Sequence, residues 1–168
     1  MPRGAAVNGI LLRNATKADA PLLLRFVTAL AEYEKLAHEV VATEADFARG
    51  LFAAPCRAEA LVAEWDGAPV GFAIWYYSFS TFQGRPGLYL EDVFVKPAHR
   101  NKGIGRAIFG DLARRALAAG CGRMEWSVLD WNAPSIAFYR SLGAQPRQGW
   151  TLQQLTGPAL DALAATGA

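Results

Sequence analysis

Residues 88–106 read LYLEDVFVKPAHRNKGIGR, and this stretch decides the fold. Its first eight residues are mostly apolar, as in a buried strand, and Pro97 marks the end of that strand. A basic loop with two glycines follows, and a helix is predicted to begin at Gly103. The unpaired amides and the positive dipole end of such a helix face whatever lies in front of the loop.

This loop has the composition of a phosphate-binding site. Gly103 and Gly105 have no side chains, so a pyrophosphate can approach their backbone. A Walker loop is absent, and Ile108 stands where a dinucleotide fingerprint needs a small residue. The pattern therefore predicts a phosphate-bearing cofactor and disfavours nicotinamide-dependent reduction. Three basic residues add positive charge to the loop: Arg100, Lys102 and Arg106.

The composition is that of a single globular domain, predicted to span residues 1–168. Apolar residues make up 52% of the chain and charged residues 19%, which excludes a disordered segment. No apolar run reaches the roughly 18 residues of a membrane span, and the first residues lack a signal-peptide pattern, so a cytoplasmic protein without a membrane partner is expected. Two cysteines without CxxC spacing and only two histidines argue against a disulfide framework and against a metal site.

The charges are unevenly distributed, although the net charge of +2 gives no reason to expect nucleic-acid binding. Residues 30–47 contain five acidic residues, and residues 96–115 contain six basic ones. Each run alone is typical of a solvated helix face. Together they predict one pole suited to a cation and another suited to an anion.

The order of predicted elements is mixed, with antiparallel hairpins first and one strand–helix–strand unit in the middle. That order indicates an α/β or α+β fold rather than a doubly wound sheet. Asp66-Gly67 is a strong hairpin turn signal, and Thr16 with Asp19 is a capping-box signal for a helix. Strands are predicted near 10–13, 61–65, 70–77, 88–95, 123–129 and 150–155. Helices are predicted over 16–33, 43–51 and 133–142, from Gly103 to Gly120, and at the C terminus.

Three ordered motifs resemble the GNAT superfamily of N-acetyltransferases. Arg100-x-x-Gly103-x-Gly105 after the strand is similar to that superfamily's acetyl-CoA pyrophosphate loop, and residues 131–144, WNAPSIAFYRSLGA, are similar to its second diagnostic segment. Residues 12–19 fit its first strand and turn. The resemblance implies a mostly antiparallel twisted sheet of six to seven strands with a splayed middle pair, flanked by four to five helices. It also implies acetyl-CoA as cosubstrate and no metal.

Within the superfamily, the chain is most similar to the diamine, polyamine and thialysine acetyltransferases. Residues 30–34, 88–95 and 130–135 carry this likeness. It implies that Glu34 and Asp92 lie on the amine side, that Glu91 assists deprotonation through water, and that Tyr139 is the acid. The implied cofactor-binding residues are Val93, Phe94, Val95, Arg100, Asn101, Lys102, Gly103, Ile104, Gly105, Arg106, Asn132, Ser135 and Tyr139.

The chemistry of these residue types agrees with acetyl transfer, and each also has a structural alternative. Partial burial at the end of an apolar strand would raise the pKa of Glu91, but Glu91 would also pair with Arg100 or cap a loop. Asp92 would point to the opposite face of a regular strand, unless a bulge turns both acids inward. The Tyr139 phenol suits protonation of a thiolate, or else packs in the core. Asn132 contacts the cofactor or is simply a helix N-cap.

The expected activity is therefore acetyl-CoA-dependent acetylation of a primary amine on a small cation. The family's acidic residue in the loop before the central strand has no counterpart in residues 78–85, SFSTFQGR, which favours a short diamine or a lysine-like amino acid over spermine. The alternatives are acetylation of protein N termini and a non-catalytic acyl-CoA-binding module. The resemblance and the aromatic residue Trp150 also lead us to expect a homodimer.

Overall fold

The computed structural model describes residues 9–166, which divide into two compact units with the boundary between Trp131 and Asn132. The first unit contains β1 (Ile10–Asn14), α1 (Ala20–Glu34), α2 (Glu44–Phe52), β2 (Glu59–Trp65), β3 (Ala68–Ser80), β4 (Arg85–Val95), α3 (Ile104–Ala118) and β5 (Met124–Trp126). The second contains α4 (Ala133–Ser141) and α5 (Gly157–Ala165). Short 3-10 turns lie at Lys17–Asp19, Ala37–Glu39 and Pro97–His99. Among residues 9–166, no helix is long and apolar enough to cross a membrane.

The five strands form one mixed sheet in the order β1-β2-β3-β4-β5. The first three pairings are antiparallel, and β4 pairs with β5 in parallel. The predicted mixed α/β class is confirmed, as is the helix count. The strand predicted over 150–155 is wrong: these residues are exposed and irregular, because alternating apolar residues form a strand only beside a neighbour that takes their hydrogen bonds. The described sheet therefore has five strands.

The splayed pair is β4 and β5. Their pairing covers only Leu88↔Met124, Tyr89↔Glu125 and Leu90↔Trp126. β4 continues to Val95, whereas β5 ends at Trp126 and is shorter than the predicted 123–129. Within the described chain, the last five residues of β4 thus have an edge that β5 does not cover.

Local signals in the sequence account for α1 and α3. The capping box between Thr16 and Asp19 forms, and α1 follows it directly. The predicted apolar stripe of α3 is buried at every position, and its members are Ile104, Ile108, Leu112 and Ala116. On the other side of the sheet, the core cluster consists of Leu23, Phe26, Ala60, Val62, Phe72, Ile74 and Phe94. α1 contributes Leu23 and Phe26 to this cluster, and the Phe26 ring stacks on Phe72 at a centroid distance of 5.6 Å.

A bulge in β4 changes the face to which its side chains point. Ile74 of β3 is paired with Asp92 and Trp75 with Leu90, so Glu91 is the extra residue. Trp75 lies under Arg115 of α3, and its cross-strand neighbour Leu90 shares that face. Asp92 instead shares the α1 face, like its partner Ile74.

Candidate active site

Glu91 and Asp92 point to the same side of the sheet because of the bulge. Tyr89 is paired with Tyr76, two residues beyond Ile74 on the α1 face, and Glu91 follows Tyr89 by two residues. Asp92 comes next and also lies on that face. Of the two arrangements considered from sequence, the bulged strand with both acids inward is the one observed.

Asp92 is the most perturbed carboxyl group on this face. Its burial, and then the charges of Glu91 and Glu34, raise its pKa to about 6. Burial also raises the pKa of Glu34, in the last turn of α1. The end of α1 and the end of β4 thus bring two partly buried acids close enough to affect each other, and a cation between them would stabilise both charged forms.

Glu91 is more exposed than Asp92. Its charge, after burial, contributes to the raised pKa of Tyr76 on the neighbouring strand. The ion pair with Arg100 that was an alternative for Glu91 does not form among the described residues, since Arg100 is held elsewhere. An exposed carboxylate beside a buried one is suited to passing a proton to water.

The loop between β4 and α3 presents backbone amides rather than side chains. Asn101 and Gly103 have left-handed backbone conformations, with φ values of 61° and 82°. A Cβ added at Gly103 would meet nothing within 4 Å, so the space before the helix is open. Ala107 donates the first helical hydrogen bond, to the Gly103 carbonyl, so the backbone amides of the first turn of α3 point towards the loop. The loop fits an anion such as a pyrophosphate.

The predicted cofactor-binding residues of β4, the loop and α3 fall into three groups by their burial. Phe94 and Ile104 are buried in the core, which leaves only their backbone for a ligand. Val93 and Val95 are partly buried near the end of β4, and Gly105 is partly buried in the first turn of α3. Asn101, Lys102 and Arg106 are exposed around the loop, and the Lys102 ammonium lies 5.3 Å from the centre of the Trp65 ring.

Arg100 has a contact that the sequence did not predict. Its Nε donates to the Val95 carbonyl at 3.0 Å, and its guanidinium lies 4.6 Å from the centre of the Tyr33 ring and 5.7 Å from that of Phe94. The observed contacts tie the cofactor loop to the end of α1. The predicted phosphate contact of Arg100 stays a prediction.

Tyr33 also contacts an aromatic residue at the end of the first unit, Trp131. Its ring centre lies 5.9 Å from that of Trp131, which is 51% exposed. No periodicity marks this contact, because residues 33 and 131 are brought together only by the folded sheet.

The second unit holds the other predicted residues. The Asn132 side chain accepts a hydrogen bond from the Ser135 amide at 3.3 Å, so the N-cap alternative is confirmed, and Asn132 is buried. Tyr139 is half-buried on α4, and its ring centre lies 5.7 Å from that of Phe138. The catalytic and cofactor roles of these residues stay predictions.

Comparison with known proteins identifies the family. Residues 27–144, more than half of the chain, match the model of the acetyltransferase (GNAT) family. The chain belongs to this family. It is 39% identical over 167 residues to a thialysine N-epsilon-acetyltransferase of Bos taurus, covering 92% of this chain and 97% of that protein. It is 29% identical over 197 residues to an L-ornithine N5-acetyltransferase of Arabidopsis thaliana, covering 90% and 86% respectively.

The fold comparison agrees with the GNAT assignment. An integron cassette protein from V. cholerae superposes with a TM-score of 0.77 at 25% identity, over 93% of this chain and 98% of that chain. The predicted GNAT family and acyltransferase class are therefore confirmed. GNAT acetyltransferases use acetyl-CoA as the acetyl donor.

Proposed function

We propose that this GNAT enzyme uses acetyl-CoA to acetylate a primary amine of a small substrate that carries a second positive charge. The observation that carries the proposal is the pair of partly buried acids, Glu34 and Asp92, on the side of the sheet to which Glu91 points. The names of the relatives support it, because thialysine and ornithine are both amino acids with a terminal amine and further charged groups.

The cosubstrate site is supported by the α3 loop and the uncovered edge of β4. The amides of residues 104–106 and the helix dipole favour the pyrophosphate, and exposed Lys102 and Arg106 add positive charge. The arm of coenzyme A contains amide groups, and the backbone of residues 91–95 beyond the β5 pairing has donors and acceptors to match them.

The acids divide the remaining work between them. An alkylammonium has a pKa near 10.4, so the reacting nitrogen must lose a proton before attack. We propose that Glu91 accepts that proton through a water, because Glu91 is more exposed than its neighbour Asp92. Asp92 and Glu34 hold the cationic substrate. The amine nitrogen then bonds to the thioester carbonyl carbon, the carbon–sulfur bond breaks, and the departing thiolate takes a proton from Tyr139. The nitrogen loses its second proton as it becomes an amide, and this proton returns through water to the Tyr139 phenolate.

The substrate is proposed to be short. Residues 78–85 contain no acidic side chain, and in the structure Phe79 and Phe82 of this segment are exposed. A long polyamine would find no carboxylate there for its far nitrogen. We therefore favour thialysine-like amino acids and short diamines over spermine.

The enzyme is further proposed to be a cytoplasmic homodimer. Five large apolar residues of the second unit are exposed, and exposed apolar surface is typical of protein–protein interfaces. They are Trp150, Leu152, Leu155, Leu160 and Leu163. A second copy of the chain is the occupant that we propose. Sedimentation that gives only an 18.1 kDa species at micromolar concentration would contradict this.

One experiment tests the function directly. The purified protein is incubated with acetyl-CoA and thialysine, lysine, ornithine, putrescine, spermine or a peptide with a free N terminus, and released thiol is measured. We expect a short dication to give the highest kcat/KM. Peptide acetylation above every small amine would overturn the substrate class, whereas binding of coenzyme A without turnover of any amine would favour a non-catalytic module. Gly105→Asp, which places a negative charge in the first turn of α3, should abolish coenzyme A binding.

A further inference from the structure

The exposed ring of Trp131 has an ammonium group beside it. Lys35 Nζ lies 6.0 Å from the centre of this ring, within the range of a cation–π contact. Half of Trp131 remains accessible to solvent. The ring is therefore a surface that already attracts one cation of the protein itself.

Tyr33 links this ring to the segment that carries the acids of the proposed amine site. Trp131 contacts Tyr33, and Tyr33 immediately precedes Glu34 in the last turn of α1. Glu34 in turn is close enough to Asp92 for its charge to affect that carboxyl group. Aromatic faces and carboxylates together are the usual surroundings of a bound ammonium ion.

Lys35 occupies an unusual backbone position. Its φ and ψ of 63° and 27° are left-handed, the conformation at a helix C-cap that glycine or asparagine ordinarily adopts. Its amide closes the helix by donating to the carbonyls of Ala31 and Glu32, a bond that a glycine would also make. The helix cap alone therefore does not explain why this residue is a lysine. The contact of its ammonium group with the Trp131 ring does explain it.

We propose that Trp131 binds the second ammonium of the substrate, and that the Lys35 ammonium takes this place while the amine is absent. This inference rests on the proposed function. It makes Trp131 a residue that determines specificity for dications and Lys35 an internal competitor. A substrate with one charge gains nothing from the ring and does not need to displace Lys35.

The test measures binding rather than turnover. Dissociation constants of putrescine, a dication, and butylamine, its matched monocation, are determined by calorimetry with coenzyme A present. Trp131→Leu should weaken putrescine binding by about 3- to 30-fold, the range of one cation–π contact, and leave butylamine within twofold. Trp131→Phe keeps an aromatic ring and should lose less putrescine affinity than Trp131→Leu. This variant also serves as a control for folding.

Lys35 supplies the second arm. Lys35→Met should tighten putrescine binding when Trp131 is present. The same substitution should leave the putrescine affinity of the Trp131→Leu variant unchanged. An equal gain in both backgrounds would show that Lys35 acts only as a distant charge. Equal weakening of both amines by Trp131→Leu, or no binding of putrescine by the wild type, would also overturn the proposal. Binding without acetyl transfer would contradict the proposed function alone, and acetyl transfer with an unchanged putrescine preference would contradict this inference alone.

Discussion

The guanidinium of Arg100 lies 4.6 Å from the centre of the Tyr33 ring, while its Nε donates to the carbonyl of Val95. One side chain thus joins the cofactor loop, the end of β4 and the end of α1. A planar guanidinium can donate and stack at once, whereas an ammonium is a point charge.

Arg100→Lys is therefore expected to weaken the binding of both substrates, the amine and acetyl-CoA. Loss of the stacked contact should loosen Tyr33 and raise KM for the amine, and loss of the bond to Val95 should raise KM for acetyl-CoA, each by several-fold. The matched control is Arg106→Lys, also near the loop, which should affect acetyl-CoA alone. Steady-state kinetics with each substrate varied gives the two values. An amine KM that stays constant in Arg100→Lys would refute the link.

Amine affinity should depend on the ionisation of Asp92. Because its pKa is raised to about 6, the carboxyl group is neutral below that pH and cannot pair with an ammonium. The dissociation constant should therefore rise as pH falls from 7 to 5 and level off above about 7. In Asp92→Asn, binding should be weak and show a much flatter dependence over this range. Calorimetry at fixed ionic strength across these pH values decides the matter.

The same carboxyl group should destabilise the folded enzyme at neutral pH. A folded-state pKa above the ordinary 3.8 means that the Asp92 contribution to stability is favourable below that value and is lost as pH rises through about 6. Asp92→Asn is thus expected to raise Tm by several degrees at pH 7.5 and by little at pH 3.5. Thermal melts at both values test this, and a lower Tm at pH 7.5 would contradict it.

Asp19, unlike Asp92, should stabilise the folded enzyme at neutral pH. It accepts two hydrogen bonds of 2.8 Å from the Arg13 guanidinium, which is the main reason that its pKa is lowered to about 2. This stabilisation is complete above the unfolded value near 3.8 and is lost as pH falls towards 2. Asp19→Asn should lower Tm at pH 7, in contrast to Asp92→Asn, and the loss should shrink in acid. Equal shifts for both variants would contradict the assignment.

Gly71 should tolerate no side chain. A Cβ at this position in β3 would lie 2.6 Å from the Phe94 carbonyl oxygen, a backbone atom that cannot turn away. Gly71→Ala is expected to cost about 1–3 kcal/mol, as overpacking does, measured by urea unfolding. Gly50→Ala in α2 is the control, since nothing lies within 4 Å of its Cβ and alanine favours a helix. Two variants of equal stability would show that β4 can move.

The hydroxyl of Tyr139 is predicted to donate the last proton. Tyr139→Phe keeps the ring, including its contact with Phe138 at 5.7 Å, and should leave coenzyme A binding and Tm unchanged. Its kcat should fall by about 10- to 1,000-fold, the usual loss for a positioned acid. An unchanged kcat would assign Tyr139 to packing only.

Features that depend on neighbouring residues in the chain could be predicted from the sequence. The capping box at Thr16, the Asp66-Gly67 turn and the stripe of α3 form as expected, because turn chemistry and helical period act within a few residues. These signals, taken in order, were enough to place the chain in its family.

Features that depend on distant partners were either left as alternatives, as the bulge was, or not predicted at all. The bulge at Glu91 is defined by the number of residues in β3 as well as in β4, and the stacking of Arg100 on Tyr33 joins residues far apart in the chain. Residues 150–155 have the composition of a strand but pair with no strand among the described residues. Nothing near Arg100 in the sequence indicates that its guanidinium also packs against an aromatic ring.

β4 contains one residue more than its pairing with β3 uses. Leu90 and Asp92 already occupy consecutive rungs of that ladder, opposite Trp75 and Ile74. A chain that lacked Glu91 would keep every one of these cross-strand pairs and leave Phe94 on its present face. The sheet therefore does not require this residue for its pairing. A gap at this position in a homologous sequence would indicate a protein that keeps the same sheet but lacks one of the three carboxylates.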